Sequence, residues 1–306
     1  MKRHFELTEE FKINFLGVKL FRIKATVKSK YAEVGDLGGW IEKEENLSGN
    51  AWVYGDAEVH GNARVYGNAE VHGNARVYGN AEVYGNAWVF GDAEVYGNAW
   101  VFGDAEVFGD AEVYGDARVY GNAEVHGNAR VYGYALVYGN ALVYGNAEVF
   151  GNAWVFGDAE VFGDAEVYGD AEVHGDAWVS GNARVYGNAE VYGNARVYGN
   201  AEVYGNAWVY GDAEVYGDAE VYGNAWVSGN ADTKSNNDYC CFQNFGSSNR
   251  TTTFFKEKNS KVKVSCGCFS GSIEEFEKRV KETHGEGKNA KEYLSIIEVV
   301  KIKFGL

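Results

Sequence analysis

The sequence predicts an all-β solenoid, and three observations carry that prediction. From Gly49 onward the unit Gly-(Asn/Asp)-Ala-x-Val-(aromatic) repeats without insertion or deletion, with Ala at every sixth position from Ala51 to Ala231 and Val from Val53 to Val227, which makes 30 hexads. The order Ala-x-Val-x follows the two-residue period of a strand, whereas a six-residue period on a helix would scatter around its axis. The chain of 306 residues holds 41 Gly and no Pro, the composition of a structure that bends often and never breaks its ladders.

Within each hexad, Ala and Val point one way, and the x residue and the aromatic point the other. Gly with Asn or Asp supplies the tight bend. The Ala and Val side form the only continuous core, and because these side chains are small the interior is narrow, filled and without room for a substrate.

Read from valine, the unit Val-Tyr-Gly-Asn-Ala-Glu resembles the hexapeptide repeat of left-handed parallel β-helix proteins, which place an aliphatic residue first and a small one fifth. The resemblance holds in phase through all 30 hexads. It implies a left-handed triangular coil of three hexads, and thus about ten 18-residue coils over residues 47–231. Neither handedness nor the triangle follows from the period alone.

The flanks read as caps. In residues 1–46 the alternation from Val18 to Ala25 predicts a strand, and Gly35 to Trp40 a glycine-rich turn. Ile41 and Leu47 already fall in the valine column, so the first coil is expected to begin near Gly38. Residues 232–306 read as a small α+β domain, with strands over 240–245, 251–256 and 261–269 and helices over 272–283 and 289–303. In the first helix Ile273, Phe276 and Val280 have the spacing of a packed face, with Ser270 or Ser272 as cap.

The stretch Ser265-Cys266-Gly267-Cys268-Phe269, with Glu274-Glu275-Phe276 and Thr283-His284-Gly285, is similar to a short domain that ends uncharacterised hexapeptide-repeat proteins of phages and prophages. Phe5-Glu6-Leu7-Thr8 through Gly35-Asp36-Leu37-Gly38-Gly39 resembles their N-terminal segment. The resemblance implies origin, not activity.

Net charge is −16, and it is concentrated in the repeat: residues 49–231 hold 26 acidic residues against six arginines and no lysine. Such a surface argues against binding nucleic acid through its phosphates. No segment reads as a secretory leader or a membrane span, so the expectation is a cytoplasmic protein, in the host cytoplasm if phage-encoded.

The repeat offers little from which to build a catalytic or metal site. His60, His72, His126 and His174 occupy the aromatic column and do not converge as zinc ligands would. No loop interrupts the hexads to build an acyltransferase site. Asp92 above Asp110 and Asp158 above Asp176 could suggest a calcium ladder, but their mixture with Asn fits turn closure better. Cys240, Cys241, Cys266 and Cys268 lack the spacing of a zinc knuckle and read as free or buried thiols. No catalytic residue, cofactor or metal is assigned.

The x column is more informative. At 18-residue steps one face reads Glu58, Arg76, Glu94, Glu112, Arg130, Glu148 and onward, a solvated face of alternating charge. The other two carry the tryptophans: Trp52, Trp88 and Trp178 on one, Trp100, Trp154, Trp208 and Trp226 on the other, with Leu142 and Leu136 joining them respectively. Exposed tryptophan on a rigid frame is enriched at interfaces. The expected partner-binding residues are Tyr134, Leu136, Leu142, Trp88, Trp100, Trp154, Trp178 and Trp208. Tyr134, Leu136 and Leu142 together break the polar pattern.

These features predict a non-enzymatic scaffold or binding rod that meets a protein partner or itself, as a homotrimer or dimer, along aromatic faces. The alternatives are an acidic mimic of nucleic acid directed at a DNA-binding defence protein, a hexapeptide-type acyltransferase, and carbohydrate binding by aromatic ladders.

Overall fold

A hexad of this composition has only two residues that extend before glycine turns the chain, and the structure consists of that motif repeated. The computed structural model describes residues 3–246 and 248–306. The chain divides after Gly163 into two compact units.

In the first unit, Phe5–Ile13 and Lys19–Ala25 form an antiparallel pair, and Leu37–Ile41 joins the second of them antiparallel. The same Leu37–Ile41 strand runs parallel to Glu58–Val59, with Trp40 opposite Glu58 and Ile41 opposite Val59. It converts the cap into the first coil. Gly38 and Gly39 sit in this strand and not in the turn expected there. Their lack of a side chain is required by close packing: a Cβ on Gly38 would fall 2.6 Å from Ile23 Cγ1, and one on Gly39 2.6 Å from Val53 Cγ1. The sequence pattern does not announce Phe5–Ile13, because charged residues interrupt its alternation.

From Trp52–Val53 onward, short strands recur once per hexad, and within this unit they pair in parallel at a spacing of three hexads, as Glu58 with Arg76, Trp88 with Glu106 and Arg118 with Leu136. Three sheets result. The first carries the Glu/Arg column from Glu58; the second includes the four-residue strands Glu82–Gly85, Trp100–Gly103, Arg118–Gly121, Leu136–Gly139 and Trp154–Gly157; the third begins with Trp52–Val53.

Hydrogen bonding explains the register. Within each unit the x, aromatic and Asn/Asp amides donate to the next coil, as Trp88 N to Ala105 O at 3.0 Å, Phe90 N to Val107 O at 3.0 Å and Asp92 N to Gly109 O at 2.9 Å. Every Ala and Val of the repeat columns is fully buried. Each valine so buried contributes about 1.5–3 kcal/mol relative to exposure.

The second unit opens with the same coils: Glu166 pairs with Arg184, Trp178 with Arg196 and Trp208 with Trp226. Its last repeat strand is Asp232–Thr233, opposite Glu214 and Val215. With partial coils at both extremities, the chain has about eleven coils where the hexad count gave ten.

A four-stranded antiparallel sheet follows, made of Tyr239–Phe245, Arg250–Lys256, Val262–Cys266 and Phe269–Ser272, then helices α1 (Ile273–His284) and α2 (Lys288–Phe304). The single strand expected over 261–269 is a hairpin, turned at Gly267 with φ +59°. Phe254, Val264, Ile273, Phe276, Ile297 and Val300 form its core. Ser272 caps α1, accepting from Glu275 N, while the Glu275 side chain accepts from Ser272 N.

This domain closes the open end of the last coils. Trp226 N donates to Thr253 Oγ1 at 3.0 Å, Glu220 N to Asn236 Oδ1 at 2.7 Å, and Lys258 N to Asn230 O at 3.1 Å. Unpaired strand edges would otherwise invite end-on association.

Two substitutions test these determinants. Gly115 has φ +72°, and an added Cβ would stand 3.0 Å from Gly133 N, so Gly115→Ala is expected to cost at least about 1–2 kcal/mol and lower Tm in calorimetry. Ser272→Ala is expected to cost about 1 kcal/mol, read as earlier loss of amide protection in α1 by hydrogen exchange.

Candidate interaction surface

The outer surface of the coils is built from three kinds of ladder. In the aromatic column, rings stack on their copies one coil away: Tyr78, Tyr96 and Tyr114 lie 4.9 Å apart and within 4° of parallel, and Phe90 stacks on Phe108 at 4.7 Å. The second unit repeats this with Tyr168 on Tyr186 and Tyr186 on Tyr204, both at 4.9 Å. The histidines are rungs of the same columns. His60 stacks on Tyr78, His72 on Tyr54, His126 between Phe108 and Tyr144, and His174 on Tyr192. Burial depresses the pKa of His60, His126 and His174, so each favours the neutral ring.

The second ladder joins Tyr to the x column. Each of several tyrosine hydroxyls donates to a glutamate of the next coil: Tyr78 to Glu94 at 2.7 Å, Tyr96 to Glu112 at 2.8 Å and Tyr132 to Glu148 at 2.8 Å in the first unit, Tyr186 to Glu202 at 2.8 Å in the second. Some of these carboxylates also hold an arginine, as Arg76 with Glu94 at 2.7 Å, Arg130 with Glu148 at 3.1 Å, and Arg184 with Glu202. The Glu/Arg face is therefore partly covered and cross-linked, not simply solvated. The sequence does not display the tyrosine contribution, because the offset between hydroxyl and carboxylate emerges only once the coil circumference is known.

The third ladder is the Asn/Asp column. These side chains bridge coils where turn closure within their own hexad was expected. Asn62, Asn80, Asn98 and Asp116 form a chain in which each amide nitrogen donates to the oxygen of the next, at 3.1, 3.0 and 3.0 Å. The run Asn122, Asn140, Asp158 does the same at 2.9 and 2.8 Å. Aspartate can accept the last amide but cannot pass the chain on, which gives the Asn and Asp mixture a physical role. Asp92 accepts from Asn74 at 2.8 Å. Among the repeat corners the positive φ is carried by glycine alone.

The expected partner residues take distinct places on this frame. In the first unit Trp88, Trp100 and Trp154 are 44, 36 and 41% exposed, and Tyr134 at the corner is 64% exposed. Leu136 pairs with Trp154 and Arg118 on the second sheet, whereas Leu142 lies between Glu124 and Glu160 on the third. Leu136 and Leu142 thus lie on two different sheets. Arg118 covers the Trp100 ring at 4.8 Å. In the second unit Trp178 is 39% exposed beneath Arg196 at 4.8 Å, and Trp208 is partly buried, stacked on Trp226 at 5.2 Å. Trp52, expected among the outward tryptophans, is buried: His4 lies over it at 6.0 Å and donates to Ala51 O.

The cysteines lie in the C-terminal domain. Cys266 is buried and accepts from the Thr252 hydroxyl at 3.1 Å, Cys268 is exposed, and burial pushes the Cys240 thiol up to about 12. Among the described residues no group of three or more His, Cys, Asp or Glu is placed to hold a metal ion, and no helix is long and apolar enough to cross a membrane.

A family profile described as the YdcK beta solenoid repeat matches residues 75–91, 111–127, 177–193, 189–204 and 195–211. The chain is a β-solenoid repeat protein. The matched windows lie in the coils alone, so the likeness bears on the repeat and not on the C-terminal domain. No curated protein matches the chain.

The tyrosine ladder makes stability depend on alkaline pH. Burial first, and then the hydrogen bond to glutamate, push Tyr144, Tyr198 and Tyr204 up to about 12 from 10.0. The folded state holds these protons more tightly than the unfolded chain, so their contribution is complete below about pH 10 and is lost as pH rises to about 12. Thermal melts across this window are expected to show that loss, and replacing the three tyrosines by Phe is expected to flatten it.

Proposed function

We propose that this chain is a non-enzymatic scaffold or binding element, related in origin to the hexapeptide-repeat proteins of phages and prophages and wound left-handed as they are, that works by self-association or protein contact through its tryptophan-bearing faces. The observation that carries this reading is the contrast between ladders. The ring faces of the Tyr and Phe columns are used up by their own copies, and many of the Asn and Glu groups are bonded between coils. Trp100 and Trp154, by contrast, stay 36 and 41% exposed on one sheet, with Leu136 in register beside Trp154.

The backbone beneath Trp100 has little room to relax and hide it, because the flanking corners at Gly97 and Gly103 are stacked on Gly115 and Gly121 of the next coil. Large apolar groups held out on a rigid frame are favourable to cover, and a second copy presents the same surface. The other readings draw less support. The carboxylates best placed to imitate phosphates already accept from tyrosine and arginine, and sugar stacking would need tyrosine ring faces that neighbouring rings cover.

Light scattering after size exclusion is expected to show a dimer or trimer for the unmodified chain. Trp100→Glu with Trp154→Glu is expected to weaken that assembly at least tenfold while leaving Tm within a few degrees. A strictly monomeric unmodified chain over the accessible concentration range would count against the self-association reading.

A further inference from the structure

In the C-terminal domain seven of eleven lysines make ion pairs among the described residues, while Lys234, Lys261, Lys291 and Lys303 make none. Lysines make all of its ion pairs among the described residues: Lys256 with Asp238, Lys258 with Glu214, Lys263 with Glu257, Lys278 with Glu282, Lys281 with Glu277, Lys288 with Glu292, and Lys301 with Glu277 and Glu298. Its two arginines, Arg250 and Arg279, have no carboxylate of the described residues within ion-pair distance, although ten acidic side chains share the domain. Both line one cavity of about 270 Å³ between the sheet and α1, together with His284, and no Asp or Glu lines it.

Arg250 and Arg279 are exposed, and two guanidinium groups without carboxylate partners among the described residues at one cavity suit an anionic occupant. The guanidinium fork suits a bidentate oxyanion better than an ammonium does, and here arginine rather than lysine occupies the cavity. Ser248 and Thr283 add hydroxyl donors to the wall, and Phe269 and Tyr293 give it aromatic sides.

Local backbone geometry makes room for this arrangement. Arg250 folds over the Gly267 turn, where an added Cβ would stand 2.5 Å from Nη1 and the guanidinium would have to shift. The turn is fixed at φ +59° between the strands that carry Cys266 and Phe269. Arg279 reaches the same cavity from α1, whose last turn is anchored by Gly285 N donating to Lys281 O at 2.9 Å. His284 is held against Tyr293 at 5.9 Å.

We propose that this cavity is a binding site for a small phosphate-bearing anion, gripped by Arg250 and Arg279 with hydroxyl support from Ser248 and Thr283. The proposal does not rest on the tryptophan faces, although Arg250 also borders a second pocket with Trp208 and Trp226. Cys268, exposed at the cavity wall, supplies a built-in reporter, since an occupant would shield its thiol.

The test uses the full chain with inorganic phosphate as probe, in chloride buffer of matched ionic strength. Calorimetric titration is expected to show one saturable site with Kd at or below about 1 mM. Arg250→Gln and Arg279→Gln are each expected to weaken binding at least tenfold, Arg250→Lys to fall between, and Lys291→Gln, which does not line the cavity, to leave it unchanged. Saturating phosphate is expected to slow iodoacetamide labelling of Cys268 severalfold, read by peptide mass spectrometry. Absence of saturable binding up to about ten times that Kd, or equal affinity in the unmodified and both Arg→Gln chains, would overturn the proposal.

Discussion

At most corners within each unit a glycine with φ near +70° lies directly under the glycine three hexads further on, so close that an added Cβ would meet the next backbone at about 3.0 Å; Gly109 beneath Gly127 is one of many such pairs. That approach sets the vertical spacing, and the other features of the coil inherit it. Ala and Val can fill the axis because the corners bring the three sheets close together. The x, aromatic and Asn/Asp amides reach the carbonyls above them because each strand lies squarely over its copy. Steric exclusion at the corners and hydrogen bonding along the strands therefore enforce one register, and a slip of one residue would put the aromatic column into an axis with no room for it.

Once that register is fixed, the exterior has little freedom. Identical side chains must stand about 4.8 Å apart, and at that spacing aromatic rings stack, amides chain and carboxylates repel. The sequence deals with the repulsion in several ways. Arg76, Arg130 and Arg184 interrupt the glutamates of the first face, tyrosine hydroxyls approach many of the rest, and aspartate ends amide runs where no further donation is needed. Where these remedies are missing the cost is visible: Glu106 faces Glu124 across the ladder, and burial together with that neighbour raises its pKa. Features that do not serve the ladder, such as tryptophans left partly bare, stand out because so much else is committed.

The repeat was legible in the sequence because both its periods are written in residue types: Ala and Val at six give the inside, and Gly at six gives the corners. The start of the first coil near Gly38 could be read from Ile41 and Leu47 alone. What escaped was contact across the circumference. The Tyr-to-Glu link, as from Tyr78 to Glu94, and the amide chain, as from Asn62 to Asn80, span offsets that a linear pattern does not display. Trp52 is buried, with His4 of the N-terminal cap beside it, and this could not follow from its column. Gly38 and Gly39 looked like a turn because glycine usually signals one, yet here they serve close packing within a strand. In the C-terminal domain the elements were recoverable from alternation and capping, and the split at Gly267 was not, since one glycine flanked by cysteines reads equally well as part of a strand.

The same reasoning separates the C-terminal domain from the coils it closes. In the coils, a side chain's surroundings are set by its copies, so a cation there tends to find a glutamate above or below it. The domain has no repeat and each position is chosen singly. Most of its lysines nonetheless found carboxylates, through helical neighbours such as Lys281 and Glu277 or across to the last coils, as Lys258 does with Glu214, where the lysine holds the carboxyl below its usual range. What sets the two arginines apart is their place: both line one cavity that no carboxylate of the described residues lines. Since an exposed ion pair gives at most about 1 kcal/mol, stability alone exerts little pressure either way. On the proposed reading the guanidinium groups stay available in that cavity, while the domain's structural work lies at the coil edge, where Thr253 and Asn236 take up the last coils' amides.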